Sequence, residues 1–372
     1  MQTQATVRLV TSEQNWIEGE AIRQLEATAT LPGMKLAVGM PDLHPGRGYP
    51  IGAAFVSQGV LYPHLVGNDI GCGMGLWSTS LRRRKIRLDR WVARLDGLDD
   101  PWEGELDTWL AGSHAIDRAH DMGLGTIGGG NHFAELQQVE AIHQEAAFAG
   151  LGLDPDRLFL LVHSGSRGLG QAILRSHVER FGAQGLNEKS VEAQVYLADH
   201  DQAVRWAAAN RSLIAHRFLS CLRSEGEPVL DVTHNTVTSI VTDASPMWLH
   251  RKGVTPSDAG AVVIPGSRGA FSYLVEPLGH DAGTAYSLAH GAGRKWNRRD
   301  ARQRLRHHAK RGEMTHTALG SRVICDNKDL MYEEAPQAYK NVDIVVQNLV
   351  EASLIRIIAV LRPVITYKTR RR

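Results

Sequence analysis

Several residues able to bind metal stand in one kind of place along this chain. Each follows a short apolar run and sits in or beside a glycine-rich turn. "YPHLVG" leads to Asn68, Asp69 and Cys72, "GLGTIGGG" to Asn131 and His132, "RLFLLV" to His163, and "PVLDVT" to His234 and Asn235. Strand ends of α/β sheets gather ligand sites, because their loops vary on a rigid base. One thiolate, one carboxylate and three imidazoles suit a transition metal such as Mn, Zn or Co, and not Mg or Ca. A thiolate able to bridge two ions would also suit two-metal phosphate chemistry. Taken singly these signals are weak. A lone histidine after a strand is more often a hydrogen-bonded structural residue, and Cys72 can be simply a small buried side chain. Asp69-x-x-Cys72 lacks the second cysteine pair of a zinc ribbon. Spacing alone leaves the metal and structural readings open.

A further imidazole, His290, stands in "SLAHGAGRKWNRR" with Gly-Ala-Gly after it and Arg294, Arg298 and Arg299 close behind. Almost nothing beside it would bury the ring, and the loop around it is strongly cationic. The loops "GTIGGGNH" and "HSGSRGLG" lack the Gly-Lys-Ser/Thr of a Walker A motif and the acidic follower of a dinucleotide fingerprint, so by spacing alone they read as tight turns.

The elements that would position these residues follow from texture. The chain has 372 residues, 43% hydrophobic and 22% charged, which reads as a globular protein with a large core. Residues 31–80 and 120–170 carry short apolar runs and glycine. Residues 190–225 carry alanine, leucine and arginine at helical spacing, which predicts one or two long helices. The apolar stretch Val342 to Thr366 repeats at helical spacing through Val346, Leu349, Val350, Leu354, Ile357 and Leu361, which predicts a docked amphipathic helix ended by Pro363. The expected architecture is α/β (α+β): one mixed-sheet domain over residues 1–372, a helical insertion at 190–225, and a C-terminal helix plus strand. Net charge is only +2, so there is no global basic field of the sort that favours non-specific nucleic-acid binding. Local clusters at 81–90, 294–311 and 367–372 are the candidate polyanion contacts. Three scattered cysteines suit a reducing cytoplasm rather than a disulfide framework. The N-terminal sequence has no signal-peptide pattern, and no apolar stretch reads as a membrane span.

Taken together, "PDLHPGRGYPIG" (41–52), "GNDIGCGM" (67–74), "GGGNHFAE" (128–135), "HSGSRGLG" (163–170), "HN" (234–235), "PGSRGAFSY" (265–273), "HGAGR" (290–294), "AYKNVD" and "LRPVITYK" resemble, in order, the blocks of the RtcB family of RNA ligases. The resemblance implies GTP and two Mn²⁺ ions, and RNA ends bearing a 2′,3′-cyclic phosphate or 3′-phosphate joined to 5′-hydroxyl ends. It implies that His290 becomes guanylylated, with Arg294 nearby and Asp42 on the other ring nitrogen. The implied metal ligands are Asp69, Cys72, His132, His163 and His234. The guanine nucleotide would lie along Asn131, His132, Phe133, Ala134 and Glu135, along His234 and Asn235, and along the Pro265, Gly266, Ser267 and Arg268 loop. Ser272, His290, Gly291, Ala292 and Gly293 would continue that wall, with Tyr339 stacking and Lys368 on the base. Arg167 would grip the RNA 3′-phosphate.

The implied reaction opens the cyclic phosphate to a 3′-phosphate. That phosphate attacks the guanylyl-histidine to give an RNA–pp–G intermediate, and the 5′-hydroxyl then displaces GMP. The chain is short for the family between Cys72 and His132, as in a compact bacterial subgroup linked to RNA repair and to a release-factor-like partner. An archease-like activator is another implied partner. Arg268 stands where methionine is usual. Two other functions fit the same residues: a metal-dependent cyclic phosphoesterase that does not seal, and a guanylylated RNA-end-binding factor that does not ligate.

Overall fold

The computed structural model describes residues 5–110, 118–242, 245–279, 281–306 and 314–370. Among them, two mixed sheets and one long helix carry the site. The larger sheet runs in the order Val262–Pro265, Ser272–Pro277, Ile355–Thr369, Phe133–Ile142, Arg157–Ser164, Gly73–Arg82 and Gly226–Thr233, with Arg322–Cys325 pairing off this path beside Ile355–Thr369. The smaller runs Thr6–Leu9, Met34–His44, Ile51–Ser57, Ser245–Lys252 and Asn235–Thr242. Most neighbours are antiparallel. Strand Arg157–Ser164 is buried on both faces, which is why it reads as an unbroken apolar run rather than an alternating one.

His234 marks a joint between the sheets. Strand Gly226–Thr233 ends before it in the larger sheet, and Asn235–Thr242 begins after it in the smaller one. His234 N–H donates to Cys72 O at 2.8 Å, and Gly71 N–H donates to Asn235 O at 2.9 Å.

The stretch expected as a helical insertion is a single helix, Val191–Cys221, capped by Ser190, whose side chain accepts from Ala193 N–H. It packs into the protein's interior: Trp206, Arg211 and Phe218 are fully buried. Arg211 pairs with both Asp231 oxygens (2.5 and 2.8 Å) and donates to Gly71 O (2.7 Å) and Ser164 O (3.0 Å). Asn210 donates to Ser164 Oγ and Gly165 O, both at 3.1 Å. The helix thus ties together the loops that follow two different strands.

At the C-terminal end the helix is shorter than its periodicity predicts. It spans Val342–Glu351, Ser353 takes a positive φ, and the chain continues as strand Ile355–Thr369. Ile357 and Leu361, expected on the helix, lie in this strand, and Leu354 lies just before it. The β-branched run from Ile355 onward favours the pleated conformation. Pro363 does not end a helix. It sits inside the strand beside a register shift, where a missing ladder donor is tolerated.

Candidate active site

Four strand ends converge. Cys72 Sγ lies 3.2 Å from His163 Nε2 and 3.5 Å from His132 Nε2. His163 Nε2 lies 3.4 Å from His234 Nε2, and His132 Nε2 lies 2.8 Å from Asp69 Oδ2. The Cys72, His132 and His163 ligand atoms fall within 4.8 Å of one another. Burial, with neighbouring imidazoles, holds His163 and His234 well below the usual imidazole range, so both are neutral lone-pair donors. Burial and the adjoining Asp69 carboxylate push the Cys72 thiol well above its ordinary range. Burial opposes the Asp69 charge, but His132, Cys72 and Arg167 together outweigh it and hold the carboxyl low. Asp69 Oδ1 and His234 Nδ1 are buried with no hydrogen-bond partner among the described residues. Donors crowded this closely, several of them unsatisfied, fit a metal site.

His290 stands beside this cluster, its ring centroid 4.8 Å from that of His234. Fully buried Asp42 accepts from His290 Nδ1 at 2.7 Å and from the backbone N–H at 3.2 Å. A carboxylate only accepts, so Nδ1 carries the ring proton and Nε2 presents its lone pair. Gly293 has a φ of +72°, and a Cβ there would strike the Asp42 backbone. Lys340 Nζ donates to Pro41 O (3.0 Å) and Leu43 O (2.8 Å), bracing the strand on both sides of Asp42.

Cluster and histidine open onto one cavity. Its wall includes Asn131, Phe133, Glu135, His234, Asn235, Pro265, Gly266, Ser267, Arg268, Gly291, Ala292, Gly293, Tyr339 and Lys368. Three residues expected along the nucleotide lie off this wall: His132, which stays in the cluster with its Nε2 on Asp69, Ala134 and Ser272. Ala134 alternates away from Phe133 and Glu135 into a hydrophobic core, and Ser272 sits buried behind the wall, accepting from Gln137. Asn235 lines the cavity, but its amide is engaged: Nδ2 donates to Asp69 O (3.0 Å) and Oδ1 accepts from Gly253 N–H (2.8 Å). Arg294 lines the same cavity as His290, and its guanidinium donates to Glu334 Oε1 (3.1 Å), Tyr339 Oη (3.0 Å) and Trp296 O (3.0 Å). Burial pushes Glu135 up to about 7 against its Thr366 and Gln137 hydrogen bonds.

Arg167 caps helix Gly168–Phe181 with a φ of +57°, and its Nη1 lies 3.4 Å from His132 Nδ1. A non-glycine residue held in so sparse a conformation stores strain, a common mark of functional loops. Of the basic clusters, 294–311 includes the exposed helix Arg298–Leu305, while 307–311 lie outside the described residues. In 367–372, Arg370 is spent on Val92 O and Leu95 O, and 371–372 lie outside the described residues. In 81–90, Arg82 pairs with Asp154.

Sequence patterns gave no sign of Glu334 or of the bracing role of Lys340. Glu334 is buried yet kept ionised below its usual range by Lys368 and Arg294, against the cost of burial. Its sequence neighbours, "YEEAP", hold nothing periodic or motif-like.

Fold and site together are those of a mixed α/β protein carrying a metal-capable cysteine–histidine cluster beside a carboxylate-oriented histidine. The family model described as "tRNA-splicing ligase RtcB" matches residues 24–98 and 104–369, and the chain belongs to the RtcB family. It is 52% identical to RNA-splicing ligase RtcB2 of Escherichia coli, over 96% of this chain and 94% of that protein. It is 29% identical to tRNA-splicing ligase RtcB of Thermococcus kodakarensis, over 93% of this chain and 90% of that protein. With RNA-splicing ligase RtcB1 of Escherichia coli it shares 28% identity, over 95% of each chain. No helix among the described residues is long and apolar enough to cross a membrane.

Proposed function

We propose that this chain is an RNA ligase that joins 2′,3′-cyclic-phosphate or 3′-phosphate ends to 5′-hydroxyl ends through a guanylylated His290, working in the cytoplasm as one catalytic domain. The observation that carries this reading is the Asp42–His290 pair set 4.8 Å, ring to ring, from His234 at the edge of the cysteine–histidine cluster. His290 Nε2 attacks the α-phosphorus of GTP; a P–N bond forms as the bond to pyrophosphate breaks. Nδ1 keeps its proton, and Asp42 offsets the charge that the ring acquires. The RNA 3′-phosphate then takes the guanylyl group from the histidine, and the 5′-hydroxyl displaces GMP.

Asp69, Cys72, His132, His163 and His234 are the residues that would hold two Mn²⁺ ions. The metal would supply charge neutralisation at the phosphates. Glu135, Lys368 and Tyr339 would hold the guanine, and Arg167 the RNA 3′-phosphate. Arg294 acts here through Tyr339 and Glu334, keeping that wall in place. The exposed arginines of helix Arg298–Leu305 would meet the RNA. An archease-like activator or a release-factor-like protein would be the partner.

The test is incubation with Mn²⁺ and α-labelled GTP, followed by RNA halves ending in 2′,3′-cyclic phosphate and 5′-hydroxyl. Label bound to protein that chases as joined RNA appears is the expected result. A 3′-phosphate product without protein label would instead assign a phosphoesterase. Trapped label with no joined RNA would assign an end-binding factor.

A further inference from the structure

Among the cavity's cationic side chains, Arg268 has a donor that no described residue accepts. It sits at the tip of the hairpin joining Val262–Pro265 to Ser272–Pro277. There Gly266 N–H reaches Phe271 O (3.0 Å) and Ala270 N–H closes a turn on Ser267 O (2.9 Å). The hairpin lays the guanidinium along the cavity wall at 8% exposure. Nη2 donates to Met331 O at 3.1 Å. Nη1 is buried too and has no hydrogen-bond partner among the described residues. Buried polar groups are almost always paired, and a charged donor left unpaired is among the most costly exceptions. A donor fixed in this way calls for an acceptor on a ligand.

Its surroundings say which part of a ligand. Arg268 and Lys368 face the same two groups, Glu334 and Cys325, and Arg268 also faces Tyr339. The neighbours of His234 are His290, His163, Arg211 and His132. Arg268 therefore belongs with Lys368, Tyr339 and Glu334 on the cavity wall. A planar guanidinium on that wall matches the edge of a purine carrying two acceptors. Guanine offers O6 and N7 there, whereas adenine replaces O6 with an amino donor.

We propose that Arg268 Nη1 donates to O6 of the guanine base and makes this chain select guanine over adenine. The proposal rests on the nucleotide reading given above and deepens it, assigning specificity to a residue that departs from the usual methionine of the resembled pattern.

The experiment measures binding, not turnover, by calorimetric titration of the whole chain in Mn²⁺. GMP is the probe, since it has no pyrophosphate to lose and leaves His290 unmodified. It is compared with AMP, with 2-aminopurine riboside monophosphate, which lacks O6, and with 7-deaza-GMP, which lacks N7. The wild type is expected to bind the analogue without O6 about tenfold or more weakly than GMP, the range of a charge-assisted hydrogen bond. Arg268→Met is expected to bind GMP about tenfold more weakly and to lose most of that analogue's penalty, because the contact is already gone. Penalties for loss of O6 that are equal in wild type and variant would overturn the proposal. So would wild-type binding indifferent to O6, or sensitive to N7 alone, which adenine shares; this arm needs no variant to fold. A loss in Arg268→Met that is uniform across all four nucleotides would place the contact on phosphate and likewise overturn it. Wild type that binds AMP as well as GMP would remove the guanine reading itself, a failure distinct from the others.

Discussion

Asp42 Oδ2 accepts from two nitrogens of one residue, His290 Nδ1 at 2.7 Å and His290 N at 3.2 Å. The double contact fixes both the ring's tautomer and its direction, so the remaining nitrogen faces the cavity with its lone pair. Asp42→Asn preserves the shape but can donate to Nδ1, which favours the wrong tautomer. Covalent guanylylation should fall by about two to four orders of magnitude, with GMP affinity nearly unchanged. The readout is acid-labile label retained on the denatured protein. Undiminished labelling would show that the carboxylate does not orient the nucleophile.

Cys72 is the hub of the cluster, within 3.5 Å of two imidazole nitrogens. Cys72→Ala should weaken Mn²⁺ binding about a hundredfold or more, measured as free Mn²⁺ by electron paramagnetic resonance. Equal affinity in variant and wild type would remove the thiol from the ligand set.

Gly128, at a φ of +87°, leaves the space in which the Arg167 guanidinium rests. A Cβ at that position would collide with it. Gly128→Ala should therefore move Arg167 and raise the KM for RNA ends while leaving GMP binding intact. Loss of both together would mean that the loop itself had collapsed.

Arg211 is fully buried and holds Asp231 together with the carbonyls of Gly71 and Ser164. Arg211→Met leaves the Asp231 carboxylate and two backbone acceptors short of partners. A loss of about 3–5 kcal/mol in urea unfolding is expected, and metal affinity should fall with it, since both loops lean on this side chain.

Acid sensitivity has a source off the cavity wall. His64 is buried with both ring nitrogens unpartnered among the described residues, and its ring stacks on Tyr49 at 4.3 Å between centroids. Burial lowers its pKa from 6.5 to about 4. Between those values the unfolded chain binds a proton that the folded chain does not, so stability falls as pH falls through this window. His64→Phe keeps the stacking and forfeits no hydrogen bond. It should be neutral or stabilising at pH 7 and should remove about 3 kcal/mol of the acid-induced loss. Parallel pH–stability curves for the two proteins would contradict this.

The ends of strands Arg157–Ser164 and Gly226–Thr233 were legible in sequence because apolar runs broken by glycine and a polar residue have few other readings, and His163 and His234 meet where that pattern led. The run before Cys72 is instead a short 3-10 helix, Pro63–Leu65, and Cys72 stands just ahead of strand Gly73–Arg82. The boundary at Glu351 was not legible. An apolar run of mixed β-branched and leucine residues satisfies helical and extended periodicity alike, and only pairing with Phe133–Ile142 and Ser272–Pro277 decides it. The engagement of Arg294 by Glu334 and Tyr339 was hidden for another reason. Nothing local ties residue 294 to 334, and a side chain's direction depends on what lies across the fold.

The strand Ile355–Thr369 is not an edge. It lies in the middle of the larger sheet, between Ser272–Pro277 and Phe133–Ile142. A ribosome must deliver residue 369 before the sheet's two halves can be zipped together, and Lys368 reaches the cavity in that same event.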